Sequence, residues 1–331
     1  MTPANQTKGK AIALPTKDKD GRSYMTVILR RGFVAKGAVL EDLGRDVQID
    51  LVDTYNGDDG AGSIRRPSML FDFKPGTDVV LLGHAHPQRG STTQVDVSLR
   101  VGDSIDKTVR AFGARTWQAG SLGGVSPGPA LPIREPVPLI YELAWGGMDL
   151  SDPEKPLGEP RNYVGRGVHR RPRSLIDTPA TRLESPRRDG ARTPASFGPI
   201  HRHWQTRVSF AGTYDEEWME HRMPLLPRDF DDRFNVCVPD DQWCPRPLRG
   251  DESFEITNAT PDGHWHFQLP RIAPGFSSII LGKREEYRTH LDTILLDADQ
   301  RTVELTWRAA IPAPPKLEMI ERLIVLEKRV I

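Results

Sequence analysis

Apolar and polar residues alternate strictly where the chain runs from Thr93 to Val101. Thr93, Val95, Val97 and Leu99 fall on one face, and Gln94, Asp96, Ser98 and Arg100 on the other. Only a half-buried strand at period two gives both sets a sensible environment. Neighbouring runs share this β-branched and aromatic character, each fenced by Gly, Pro, Asp or Ser: Tyr24 to Ala35, Asp46 to Tyr55, Asp78 to His86 and Asp106 to Trp117. Residues 20–120 therefore read as a β-sandwich or barrel.

Strand signals return after Pro199. Phe254 to Pro270 carries a Pro-Asp-Gly turn between two β-prone runs, and Leu291 to Ile311 is a second hairpin candidate turning at Asp297 to Gln300. Asp215 to Met223 is a short amphipathic helix candidate. The tail beyond Pro315 is open in type: Leu317, Ile320, Leu323 and Ile324 suit a helix, whereas Ile324 to Leu326 suits a strand. Between Gly120 and Pro199 no period is sustained, which predicts a long loop region. The expected architecture is mainly β, with sandwich-like antiparallel sheets, long Pro- and Gly-rich loops and few short helices. It divides into a disordered segment 1–19, an N-terminal β-region 20–120, and a loop-rich second β-region 121–331 packed on the first.

Composition supports many turns, since 29 Gly and 29 Pro occur in 331 residues. The 45 Lys and Arg cancel the 45 Asp and Glu, so no bulk field concentrates nucleic acid or anionic membrane. Two cysteines, Cys237 and Cys244, cannot build a disulfide framework and read as free thiols of a reducing compartment. Residues 1–19 lack the apolar core of a signal peptide, and no stretch has the roughly 18 apolar residues of a membrane span. The expectation is a soluble cytoplasmic protein.

Candidate chemistry is sparse. His84/His86, His201/His203 and His264/His266 sit at i, i+2, a spacing that on a strand points both rings to one face, but nothing at ligand spacing joins the pairs, so no metal is assigned. Gly120, Gly123 and Gly124 open no helix, and nucleotide-binding and nucleophile-elbow motifs are missing, so no cofactor is assigned either. Arg161, Arg166, Arg170, Arg171, Arg173, Arg182, Arg187, Arg188 and Arg192 make the middle basic, read as a solvated loop rather than an anion-binding patch. Carboxylates cluster in DFDDRF, from Asp229 to Phe234, and in PDDQ, from Pro239 to Gln242. With Arg228 and Arg233 beside them, ion pairs and Asx turns explain them better than acid/base catalysis. Trp204, Tyr214, Trp218 and Trp243 form an aromatic-rich stretch, either a recognition surface or core cover.

Taken together, PLIYELAWGGMD (138–149), NYVGRG (162–167), SFGPIHRHWQTR (196–207), AGTYDEEWMEHRMPLLPRDFDDRF (211–234), PDDQ, LRGDE (248–252) and LDTILLDAD (291–299) resemble the bacterial family known as domain of unknown function 2169. The resemblance runs from about Tyr24 to Pro312. Tyr163 departs from the family's usual proline, and TPATRLESP (178–186) departs from an expected Pro-Asn-x-Glu stretch. Such proteins are associated with the type VI secretion system, so the resemblance implies a non-enzymatic adaptor or chaperone. Its partners would be a toxin effector and the secreted spike, not nucleic acid or membrane. Trp145, Trp204, Tyr214, Trp218 and Arg222 are the candidate partner-binding residues. Gly146, Gly147, Asp149, Gly165, Gly167, Pro227, Asp229, Asp231 and Arg233 are the candidate structural motif. The alternatives are a hydrolase using Asp229, Asp231 or Asp251, and a structural component of the spike.

Overall fold

In the computed structural model, which describes residues 2–57, 60–88, 90–120, 124–187 and 192–328, three sheets dominate. The largest has the order Trp243–Cys244, Thr77–Leu82, Leu291–Asp297, Thr302–Pro312, Ser23–Lys36, Lys10–Lys17, and Val39–Asp42 adds to the end of Ser23–Lys36. It is antiparallel except where Leu291–Asp297 runs parallel to Thr77–Leu82. A five-stranded sheet is built on Gln94–Val101, flanked by Ile105–Phe112 and by the hairpin Ser253–Thr257/His264–Gln268. The third sheet joins Ala4–Asn5, Ile320–Lys328, Ala273–Ile280 and Lys283–Tyr287. Among the described residues no sheet closes into a barrel, and the mainly β expectation holds.

One apolar core draws on all three sheets: Leu29, Leu81 and Leu305 from the largest, Val97, Leu99 and Trp265 from the second, Phe276 and Val325 from the third. Val95, Val97, Leu99 and Val101 are buried as the alternation requires.

The opposite face of the seven-stranded sheet is chemically different. Arg30 pairs across strands with Thr306, and Thr306 and Asp78 both register with Thr293, so these side chains, with Glu304 and Arg308 two residues either side of Thr306, share one face. Segments 43–57 and 60–76 cover it and bring Asp50, Arg66 and Lys74 to the charges on the strands. Arg30 pairs with Asp50 at 2.9 Å and with Glu304, Arg66 joins the same two carboxylates, Arg308 pairs with Asp292 at 2.6 Å, and Lys74 pairs with Asp78 at 2.6 Å. Arg308 also donates to the carbonyls of Met69 and Phe71. A layer of buried ion pairs thus fixes the covering segment beside a smaller apolar cluster of Val80, Val236, Cys237, Val238 and Leu295 and the buried Ile28, Val47, Ile64 and Met69.

Three expectations need correction, and the open type of the tail is resolved. Residues 1–19 are not disordered over their described length: Lys10–Lys17 pairs along its whole length with Ser23–Lys36, and Ala4–Asn5 pairs with Ile324 and Val325. The exposed lysines hid a strand whose backbone completes a sheet edge. The boundary at residue 120 separates no sheets, because Leu291–Asp297 and Thr302–Pro312 are inserted between strands of the first 100 residues. Asp46 to Tyr55 is strand only at Thr54–Tyr55. The tail is the strand Ile320–Lys328. The hairpins and the helix Glu216–His221 stand where expected.

Candidate functional site

Most of the candidate site residues gather in two places. In the first, the turn Tyr141–Leu143 leads into Trp145–Gly146, which pairs parallel with Arg166–Gly167, while Met148–Asp149 pairs with Leu157–Gly158. Asn162, fully buried, is the centre: its Nδ2 donates to the carbonyls of Tyr141 and Trp145, both at 2.9 Å, and its own carbonyl accepts from Gly147 N at 2.8 Å. Gly146 and Gly147 have φ of 149° and 103°, in the region glycine favours. A Cβ on Gly165 would meet Asn162 and the Ala144 carbonyl. Asp149 accepts from Arg170 N at 2.7 Å and Ser151 N at 2.9 Å, and these backbone donors, with His169 at 3.2 Å, hold its carboxyl well below the usual range. All five of Gly146, Gly147, Asp149, Gly165 and Gly167 serve this cluster. Asn162 was missed in the sequence, where a lone Asn among glycines reads as a turn residue.

The expected aromatic group divides. Trp204 is 1% exposed and lines no surface groove; it packs edge-on to Tyr141 at 5.2 Å and against His201 at 4.8 Å. Trp243 donates to the Pro75 carbonyl, and Trp145 is half-buried edge-on to Trp117 with Arg192 over its ring. Only Tyr214 and Trp218 remain together, ring centroids 4.7 Å apart.

Those two stand on the second place, an arm spanning residues 211–231. Asp215 caps the helix Glu216–His221 by accepting from Trp218 N, and no residue of the helix is buried. The arm is nonetheless held firmly. Trp218 Nε1 donates to the Leu225 carbonyl at 2.8 Å, and Arg222 donates to the carbonyls of Leu226 and Lys19 and pairs with Asp20. Arg222 is therefore a positioning residue, its guanidinium engaged inside the chain rather than offered to a partner. Asp229 accepts from Thr213 N and Oγ1, which lowers its carboxyl, and Pro227 lies against Gly212. Asp231 is lowered by Arg233, whose guanidinium also sits 4.2 Å from the Phe210 ring centroid. Tyr214, Met219 and Met223 are left 53%, 60% and 63% exposed. A groove of about 210 Å³ runs beside Asp215, Glu217, Trp218, Arg222 and Asp229.

The carboxylates proposed for hydrolysis thus share no site: Asp229 and Asp231 are depressed by local donors, and Asp251 pairs with Arg271 at 3.1 Å. A larger cleft of about 650 Å³ is lined by Lys107, Tyr141, Arg187, Asp240 and Asp241 among others. Burial pushes the Lys107 ammonium down, but Asp241 at 2.8 Å and Gln242 at 2.7 Å occupy it. Gln242 in turn donates to the Val79 and Phe197 carbonyls, so PDDQ fastens its turn to the strand Thr77–Leu82 and to the irregular segment at Phe197.

Of the histidine pairs, His84 meets Asp299 at 2.9 Å, His201 and His203 enter a ring stack with Tyr55 and Tyr163, and His264 and His266 flank the buried Trp265 on the exposed side of their hairpin. Among the described residues no group of three or more His, Cys, Asp or Glu is placed to hold a metal ion. Several arginines of the middle brace the chain locally, as with Arg161 on Glu159, Arg182 on the Phe112 carbonyl and Arg166 on that of Ala180. Gly123 and Arg188 lie outside the described residues.

Both cysteines are free and buried, and burial pushes Cys237 up to about 12 and Cys244 up to about 11. Thiolate is therefore scarce in the native state. Alkylation with iodoacetamide at pH 8 is expected to label neither thiol until denaturant is added, when both react; rapid native labelling of either would refute this placement.

Against known families, residues 20–308 match the model described as "Uncharacterized protein conserved in bacteria (DUF2169)". The chain belongs to this family. No curated protein and no solved structure matches it. The match to DUF2169 spans the glycine-rich cluster, the arm and most of the seven-stranded sheet, but ends before the C-terminal strand. Among the described residues of this DUF2169 chain, no helix is long and apolar enough to cross a membrane.

Proposed function

We propose that this chain is a non-catalytic adaptor of the type VI secretion system, which holds a toxin effector in the cytoplasm and loads it onto the secreted spike. The observation that carries the reading is the arm at 211–231. Its helix buries nothing, yet Arg222, Trp218 and Asp229 lock it in place, leaving an aromatic and two methionines facing outward. A side chain already ordered loses little entropy when a partner covers it, so a rigid exposed apolar surface favours association. Tyr, Trp and Met are also the residues enriched where interfaces gain their energy.

Affinity capture of the tagged chain from its own cells, with and without the neighbouring candidate effector, tests the proposal. One toxin recovered together with spike proteins is the expected result. Recovery of neither would overturn the adaptor reading.

A further inference from the structure

The chemistry around Tyr214 and Trp218 selects among partners. Glu216, Glu217 and Glu220 project from the short helix, with Asp215 at its cap and Asp20 and Asp229 alongside. Of the cations nearby, Arg222 and His221 are engaged, whereas Arg228 lines the same groove, exposed and with no ion-pair partner among the described residues. Arg222 is bound to Asp20 and two carbonyls, and His221 lies 3.8 Å from Glu220. Glu216 and Glu217 have no ion-pair partner among the described residues, and both are exposed. Tyr214, exposed, and Trp218, half-buried, set edge-to-face at 4.7 Å, therefore stand where the carboxylates of Asp215, Glu216 and Glu217 outnumber the Arg228 cation.

Such a surface rejects anionic ligands and rewards a cation that can lie over a ring while its charge meets carboxylates. Met219 and Met223, 60% and 63% exposed, add apolar area that a purely ionic ligand would leave uncovered. Resting on the protein-binding reading above, we infer that the arm docks a cationic amphipathic segment of the bound protein. An Arg or Lys of that segment lies over the Tyr214–Trp218 pair, and its apolar side chains cover Met219 and Met223.

A synthetic 14-residue peptide with Leu and Arg at helical spacing, titrated calorimetrically into the full chain, is the probe. Its counterpart with every Arg replaced by citrulline keeps the shape and removes the charge. The Arg peptide is expected to bind, and the citrulline peptide at least about tenfold more weakly, as loss of close charge pairs and cation–π contact predicts. Tyr214→Ala should weaken the Arg peptide roughly 3–30-fold, the range that corresponds to a cation–π contact. Glu216→Gln/Glu217→Gln should weaken it and flatten its salt dependence. All three positions are exposed, so unchanged melting temperatures are expected to accompany these losses.

Equal binding of the two peptides, or Tyr214→Ala binding as wild type, would overturn the inference. So would a concentration-dependent dimer abolished by Glu216→Gln/Glu217→Gln, because the occupant would then be a second copy. The two readings separate in cells. A wild-type chain that captures no protein defeats the adaptor proposal, whereas equal capture by wild type and the Tyr214→Ala/Glu216→Gln/Glu217→Gln variant defeats only the cationic-segment inference.

Discussion

Arg308→Met is expected to lower the unfolding free energy by about 3–5 kcal/mol, the range for leaving one member of a buried pair without its partner. Arg308 is 6% exposed and Asp292 1%. The guanidinium also holds the Met69 and Phe71 carbonyls, so its loss strands three acceptors and frees the loop over the sheet. Removing both charges in Arg308→Met/Asp292→Leu should recover much of the deficit, because apolar replacement of a whole buried pair is often near neutral. Acidity adds a second signature. In the native chain burial pushes Asp292 up, but Arg308 and Lys74 outweigh it and hold the carboxyl below its ordinary value. A carboxyl lowered on folding contributes stability above its unfolded pKa, and that contribution fades as pH falls below about 3.9. Without Arg308 the balance tips toward burial, so the variant's deficit relative to wild type should shrink on acidification. Urea unfolding of the three proteins at two pH values measures both effects. A single-variant loss under 1 kcal/mol would show that the layer of ion pairs does not hold this loop.

Gly146→Ala should be nearly as damaging, at about 3–5 kcal/mol from backbone strain combined with overpacking. Its φ of 149° is one that L side chains rarely adopt, and a Cβ there would lie 2.2 Å from the Asn162 carbonyl and 2.8 Å from its side-chain amide. The obstruction is backbone, so no rotamer change relieves it. Since Asn162 ties Tyr141, Trp145 and Gly147 together, displacement should spread through the cluster. A urea midpoint close to wild type would contradict this account of the glycines.

Much of the fold was legible because period-two alternation survives wherever one face of a strand meets the core, as from Gln94 to Val101. The failures have particular causes. Asp46 to Tyr55 is apolar enough for a strand, but Asp50 serves Arg30 and Arg66 and Asp53 accepts from Ser68, so this stretch stays irregular to deliver counter-charge. In the tail, Glu321 is an extra residue between the positions paired with Ile279 and Ile280. That irregularity puts Ile320 and Leu323, both buried, three residues apart, which mimics helical spacing. The structural glycines and the locally tied carboxylates were readable from residue type. The division of the tryptophans was not, since nothing local distinguishes Trp204, covered by Tyr141 and His201, from Trp218, which stands on a helix that buries nothing.

On the adaptor proposal, the preformed arm is the surface a partner covers. Hydrogen exchange of the full chain, alone and with the protein it captures in cells, tests this most directly. The predicted result is added protection concentrated at residues 211–231 with the sheets unchanged. Protection confined to the Lys107 cleft or a sheet edge, with the arm exchanging as in the free chain, would contradict it.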